Sequence, residues 1–108
     1  MEYGHVGILT VDLHLPDGAS VKTKRKELLR VKSALARRHA CSVAEVDHHD
    51  LWQRSRLTLA VAGRTAGDVA ERLNAASRAL HADEAFQVVD EARELVAVSG
   101  DDPQRWER

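Results

Sequence analysis

The chain has 108 residues, a length typical of one domain, and 44% of them are apolar, which excludes a disordered chain and allows one small hydrophobic core. No apolar run approaches the roughly 18 residues of a membrane-spanning helix, and the single cysteine, Cys41, excludes an internal disulfide. The first 15 residues lack the basic start of a signal peptide, so we expect a cytoplasmic protein.

The net charge of −1 conceals a strong separation of charge along the chain. The segment 20–39 holds eight Lys or Arg residues against one acidic residue, whereas the rest of the chain holds eight basic and sixteen acidic residues. Such a separation creates a local positive field, which favours an anionic partner. It does not indicate a reaction.

The first predicted element is a strand over 9–15, where apolar residues alternate with polar ones. Pro16 ends this strand, and Asp17–Gly18 favours a tight turn. Ser20 is a suitable N-cap for a long basic helix that reaches Arg38. At 100° per residue, an apolar stripe of this helix faces the core, and the opposite side carries a basic ridge. The apolar stripe comprises Val21, Leu28, Val31 and Leu35, and the basic ridge comprises Lys22, Lys26, Arg30 and Arg37.

The remaining elements complete a β-α-β-β-α-β order. Short strands over 42–47 and 56–63 are joined by a polar turn and form a predicted hairpin. Thr65 is the predicted N-cap of a second, alanine-rich helix. A last strand region over 86–98 is interrupted by acidic residues, which indicate a bend, an edge strand or a further short strand. We therefore predict an α+β, ferredoxin-like two-layer sandwich over 1–99, with a four-stranded antiparallel sheet, two helices on one face and a polar tail over 100–108.

The basic helix favours binding of phosphate groups in RNA or DNA, because cations and free N–H groups meet at its first turns. The alternative is a solvated helix face with intramolecular ion pairs. Lys24 and Arg25 are expected close to the apolar stripe, with their stems over the sheet. Their head groups could then pair with an acidic residue inside the fold, for which the candidates are Glu45, Asp47, Asp90 and Glu91.

Histidine and aspartate residues over 47–50, with His14, invite a metal-binding interpretation, but their spacing fixes no third ligand and we predict no metal site. Trp52 could stack on a base beside Arg54, although a lid over the end of the core is the favoured interpretation. The outer sheet face carries no aromatic residue, so base stacking on that face is disfavoured. No catalytic constellation or cofactor motif is present, and we expect a protein that is not an enzyme.

Four ordered motifs resemble the DUF503 family of small bacterial proteins, also called the YlxP-like family. The motifs are Val11-Asp12-Leu13-His14-Leu15-Pro16, Ser20-Val21-Lys22-Thr23-Lys24-Arg25, Ser42-Val43-Ala44-Glu45-Val46 and Asp50-Leu51-Trp52-Gln53-Arg54. The resemblance implies a ferredoxin-like fold and a cytoplasmic protein, and genes of the family often lie beside genes of translation and ribosome maturation. It implies no agreed activity and no catalytic residues.

We therefore expect an accessory protein that contacts structured RNA, with ribosomal RNA as the first candidate, through the basic ridge. Lys24, Arg25, Arg54 and Trp52 are secondary candidates for that contact. The competing hypothesis is a homodimeric protein–protein interaction module that binds an acidic partner, and a phosphate- or metal-dependent enzyme is the third.

Overall fold

The computed structural model describes residues 2–16 and 20–99. Its four strands form one antiparallel sheet. The ferredoxin-like β-α-β-β-α-β fold predicted from the sequence is therefore confirmed. The predicted turn Asp17–Gly18 and the tail 100–108 lie outside the described residues. The elements are β1 (Glu2–His14), α1 (Val21–His39), β2 (Ser42–Asp47), β3 (Arg54–Gly63), α2 (Ala66–Ala82) and β4 (Gln87–Ser99). The strand order in the sheet is β2-β3-β1-β4.

The core lies between the sheet and the two helices, and it follows the alternation of the central strands. In β3, buried and partly buried residues alternate from Arg54 to Val61. The inward residues of β1 and β3 form one cluster with buried residues of both helices. Val21 of the predicted α1 stripe is 39% exposed and lies outside this cluster, because it stands at the first position of the helix. This is the arrangement that the period-two and helical patterns predict for a two-layer sandwich. No helix in the described parts of the chain combines the length and the apolar character needed to cross a membrane.

Both helices begin at the predicted caps. The Ser20 hydroxyl accepts a hydrogen bond from the Thr23 N–H at 3.1 Å, and the Thr65 hydroxyl accepts one from the Asp68 N–H at 3.1 Å. Each cap satisfies an amide of the first turn that has no partner within its helix. The α1 helix ends where Ala40 adopts a left-handed conformation with φ 52°.

The outer strands differ most from the sequence-based prediction. The first strand begins at Glu2 rather than at residue 9, because its N-terminal half pairs with the ends of both β3 and β4. The last strand is continuous from Gln87 to Ser99 and lies at the edge of the sheet, so the acidic residues mark an edge strand and do not divide it into two strands. A register shift against β1 occurs between Asp12 and Leu13, where the acidic segment of β4 begins.

Candidate nucleic-acid interface

The outward face of α1 carries a set of exposed cations. Lys22 and Lys26 are one helical turn apart and both are exposed. Arg25 and Arg37 are exposed as well, and Arg37 bonds only to the Ser33 carbonyl of its own helix. Among the described residues, no carboxylate pairs with Lys22, Arg25 or Lys26. Three of the four predicted ridge residues therefore keep their head groups available to an anion.

Arg30 departs from the predicted ridge, because carboxylates of the protein already bind it. Its guanidinium donates two hydrogen bonds of 2.9 Å to the two carboxylate oxygens of Asp83 and one of 2.8 Å to Glu27. Burial by itself raises the pKa of Asp83, but the hydrogen bonds from Arg30 and from the Ala85 N–H outweigh burial and lower it. The prediction that Arg30 is free to meet a partner is wrong, since this bidentate pair ties α1 to the end of α2.

Lys24 lies inside the fold with only 2% of its side chain exposed. Its ammonium group donates to the carbonyl oxygens of His48 at 2.6 Å and Leu51 at 2.7 Å, and lies 3.1 Å from Glu45 Oε2. The Ser55 hydroxyl donates to the same Glu45 oxygen at 2.6 Å. Of the two interpretations of Lys24, the structure shows the internal ion pair, and its ammonium group does not reach the surface.

Arg25 was expected against the sheet beside Lys24, and that expectation is wrong. Its side chain is exposed, because one residue along a helix turns the side chain by 100° and moves it out of the buried stripe. The first turn of α1 contains no acidic residue that would balance this charge. Arg25 therefore adds a cation to the N-terminal end of the exposed helix face.

The segment between β2 and β3 brings Trp52 and Arg54 to the same end of the sandwich as the start of α1. Trp52 is 38% exposed and lies outside the cluster of buried core residues, and the interpretation as a lid over the end of the core stays a prediction. Arg54 pairs in register with His14 and is partly buried. Its charge helps to lower the pKa of Asp12, which places it toward the outer sheet face rather than toward α1.

A charged row crosses the outer face of the sheet, which the sequence interpretation did not find. Asp47, Arg56, Asp12 and Asp90 occupy adjacent register positions on β2, β3, β1 and β4. Arg56 Nε donates to Asp12 at 2.7 Å and Arg56 Nη1 to Asp47 at 3.2 Å. The hydrogen bond from Arg56 outweighs burial and lowers the pKa of Asp12. The sequence could not reveal this row, because its four residues become neighbours only through the register of the four strands.

The histidines of the 47–50 segment do not come together with other ligands. Within residues 2–16 and 20–99, no group of three or more His, Cys, Asp or Glu side chains is arranged to hold a metal ion. Cys41 is buried, and burial raises the pKa of its thiol. The α1 surface is therefore the one on which we base a functional proposal.

Comparison with known proteins connects the chain to a family. No curated protein matches it. Among solved structures, it is similar to the crystal structure of At3g17210 from Arabidopsis thaliana, with a TM-score of 0.49 and 12% sequence identity over 88% of this chain and 96% of that one. The family model described as a protein of unknown function, DUF503, matches residues 6–93. This match covers all four motifs singled out in the sequence, and the chain belongs to the DUF503 family.

Proposed function

We propose that this protein is a non-enzymatic accessory protein that binds structured RNA through the exposed cations of α1, with ribosomal RNA as the expected partner. One observation carries the proposal. Lys22, Arg25 and Lys26 lie on the exposed face of one helix and have no carboxylate partner among the described residues. Cations placed in this way can replace the counterions of a phosphate backbone.

The position of these cations adds a second reason. Positive charges in the first turns of a helix oppose the helix dipole and cost a few tenths of a kcal/mol each. The N-terminal N–H groups of a helix also attract anions. An arrangement that is unfavourable for the isolated helix becomes favourable when a phosphate binds, which is the behaviour expected of a binding surface.

Salt dependence of RNA binding tests the proposal. Affinity for a structured RNA should fall with salt, with a log–log slope of about 0.7–0.9 per phosphate contact. In the Lys26→Gln variant, the slope should decrease by about the contribution of one phosphate contact. Arg30→Gln should change the slope less, because Asp83 and Glu27 already bind the Arg30 guanidinium.

The matched control is Arg64→Gln. Arg64 directly follows β3, at the end of the sandwich opposite the start of α1, so removal of its charge should leave the slope unchanged. Cosedimentation with ribosomal subunits at low and high salt then tests the ribosomal partner. An affinity that does not vary with salt, or equal slopes for Lys26→Gln and the unmodified protein, would contradict the proposal.

A second candidate is a homodimer, favoured by the chemistry of the outer sheet face. Beside the charged row, its central residues are small or apolar, and the hydroxyls of Thr10 and Thr58 bond to each other at 2.9 Å, so this part of the face has few groups that need water. Four strands spaced by about 4.8 Å offer roughly 500–600 Å² of outer sheet face per copy. Two copies packed through this face would bury about the smallest total area that a stable interface needs. Light scattering tests this candidate: a dimer that Ala60→Arg converts to a monomer supports it, and a monomeric unmodified protein refutes it. The small and apolar residues of this face are Ile8, Thr10, Ala44, Thr58, Ala60 and Ala92.

Nuclease treatment distinguishes the alternative of an acidic protein partner from RNA. A partner that stays bound to α1 after the nuclease has removed all RNA would be a protein, and it would overturn the RNA proposal. Loss of every partner on nuclease treatment supports RNA.

A further inference from the structure

The segment that joins β2 to β3 is fastened to the first turn of α1 by a buried charge. The Lys24 ammonium holds the carbonyl oxygens of His48 and Leu51, and Glu45 neutralises it from the neighbouring strand. His48 adopts a left-handed conformation with φ 65°, which is uncommon for a residue other than glycine. The Lys24 hydrogen bond to its carbonyl stabilises this conformation, so the segment is held in one shape.

Trp52 lies at the centre of this fastened segment. The carbonyl before it, on Leu51, accepts a hydrogen bond from Lys24, and the carbonyl after it, on Gln53, accepts one of 2.8 Å from the Leu15 N–H. The backbone is therefore fixed on both sides of Trp52, while the indole remains partly exposed and outside the core. An exposed aromatic side chain on a fixed backbone loses little conformational freedom when it binds a flat ligand.

Cations at the start of α1 lie close to this segment and complete a composite surface. Because Lys24 reaches Leu51, the first turn of α1 lies within one lysine side chain of the segment that carries Trp52. That turn also bears the exposed side chains of Lys22 and Arg25. An aromatic side chain beside a basic helix end is the combination by which proteins bind single strands, since bases stack on the ring and phosphates meet the cations.

We propose that Trp52 stacks on an unpaired base of an RNA whose neighbouring phosphates bind Lys22 and Arg25. This inference rests on the proposed function and specifies it further, because it assigns single-stranded segments such as loops, bulges and ends as the recognised part of the RNA. Bases in a duplex already stack on each other and are not available to Trp52, whereas splayed bases of single strands are. The chemistry of stacking is similar for every base, so we expect little sequence preference.

Tryptophan fluorescence tests the inference directly. The chain has two tryptophans, so a Trp106→Phe background leaves Trp52 as the sole reporter. The probe is an oligo(U) RNA of about 12 nucleotides, free or annealed to oligo(A). Stacking should quench the Trp52 emission on titration with the single strand, and the duplex should give much weaker quenching at the same phosphate concentration.

Substitutions of Trp52 separate stacking from simple apolar contact. Trp52→Leu should weaken single-strand binding about 5- to 100-fold, whereas Trp52→Phe should retain most of the affinity because it keeps an aromatic face. The salt slope should stay unchanged in both variants, because no phosphate contact is removed. Circular dichroism and urea unfolding verify that both variants fold.

The outcomes distinguish the two proposals. Single-strand binding that is equal in Trp52→Leu and the unmodified protein, without quenching, overturns the stacking inference and leaves the phosphate contacts of α1 standing. Equal quenching by single strand and duplex also overturns it. Absence of binding to both RNAs overturns the proposed function together with the inference. Affinity that is retained equally in Trp52→Leu and Trp52→Phe, with quenching of Trp52, would indicate an apolar contact in place of stacking.

Discussion

Lys24 has the side chain of a basic surface residue and the environment of a core residue. Its ammonium donates to two backbone carbonyls and pairs with one carboxylate, so its removal takes a buried donor from the Leu51 carbonyl and leaves the charged Glu45 oxygen with only the Ser55 hydroxyl. Breaking a buried ion pair by removal of one member typically costs about 3–5 kcal/mol. We expect Lys24→Met, which preserves most of the volume, to lower the free energy of unfolding by about 3 kcal/mol in urea denaturation.

Lys26→Met is the matched control for Lys24, because it makes the same change two residues along the same helix at an exposed site. It should alter the free energy of unfolding by no more than about 0.5 kcal/mol. The double variant Lys24→Met/Glu45→Gln should recover part of the loss, since the buried carboxylate charge is removed. Equal effects of the two methionine substitutions would mean that the buried network contributes nothing.

The pair of Asp12 and Arg56 makes stability depend on pH. Arg56 lowers the pKa of Asp12 in the folded protein, so the ionised carboxylate favours the fold. This contribution is complete above the ordinary aspartate pKa of about 3.9, and it is lost as the pH falls through the lower pKa of the folded state. We expect the free energy of unfolding to decrease below about pH 4 and the difference between the unmodified protein and Asp12→Asn to shrink over the same range.

Arg56→Met tests whether the pair is the cause. It removes the donor and should weaken the acid dependence as Asp12→Asn does, and the double variant should show no additional loss. Part of the dependence should persist in all variants, because Asp83 and Asp47 also have lowered pKa values. An unchanged difference between the unmodified protein and Asp12→Asn from neutral to acid pH would exclude this pair as its source.

Residue positions could be predicted from the sequence only where one helix or strand decides them. The caps Ser20 and Thr65 follow from local chemistry and are confirmed. Glu45 was one of four candidate partners of Lys24, and helical spacing could not select it because the choice depends on the β2–β3 segment. The exposure of Trp52 likewise depends on how that segment lies against α1.

At the scale of elements, the contact between α2 and β1 depends on the absence of a side chain at Gly7. A Cβ atom at Gly7 would lie 2.5 Å from Val69 Cγ1 and 2.6 Å from Leu73 Cδ1, so α2 would have to move away from the sheet. Overpacking of a buried contact typically costs about 1–3 kcal/mol. We expect Gly7→Ala to destabilise the protein by that amount, as measured by thermal and urea unfolding.

Gly67→Ala provides the control, because a Cβ at Gly67 meets no atom within 4 Å. It lies in α2, where alanine is the better helix former, so stability should stay equal or rise by up to about 1 kcal/mol. If Gly7→Ala were equally harmless, the close approach of α2 to β1 would not contribute to stability.

The central elements were easier to predict than the outer ones. Strands β1 and β3 alternate between the core and the opposite face, and that alternation is visible in the sequence. The edge strand β4 is exposed along most of its length, so its pattern carries little period-two signal. The first half of β1 was missed because its pairing with the ends of both β3 and β4 depends on residues distant in the chain.

For the whole molecule, the order of elements was enough to predict the topology, since right-handed crossovers leave few arrangements of β-α-β-β-α-β. Charge separation along the chain likewise becomes charge separation in space, because most of the basic segment is one helix. The internal partners that Lys24 and Arg30 find could not be predicted at this scale. They remove Lys24 from the exposed cationic surface of α1 and give Arg30 an internal carboxylate partner.

The separation of folding from binding can be tested at Lys22, in the first turn of α1. Lys22 has no carboxylate partner among the described residues, and its charge opposes the helix dipole. We expect Lys22→Glu to increase the free energy of unfolding by about 0.3–1 kcal/mol at low ionic strength while it weakens RNA binding. Lys22→Gln should give an intermediate result in both measurements. A destabilised Lys22→Glu variant would mean that Lys22 supports the fold, and an unaltered RNA affinity would mean that Lys22 is not part of the binding surface. Only higher stability together with weaker RNA binding shows that the Lys22 charge serves RNA binding and destabilises the helix.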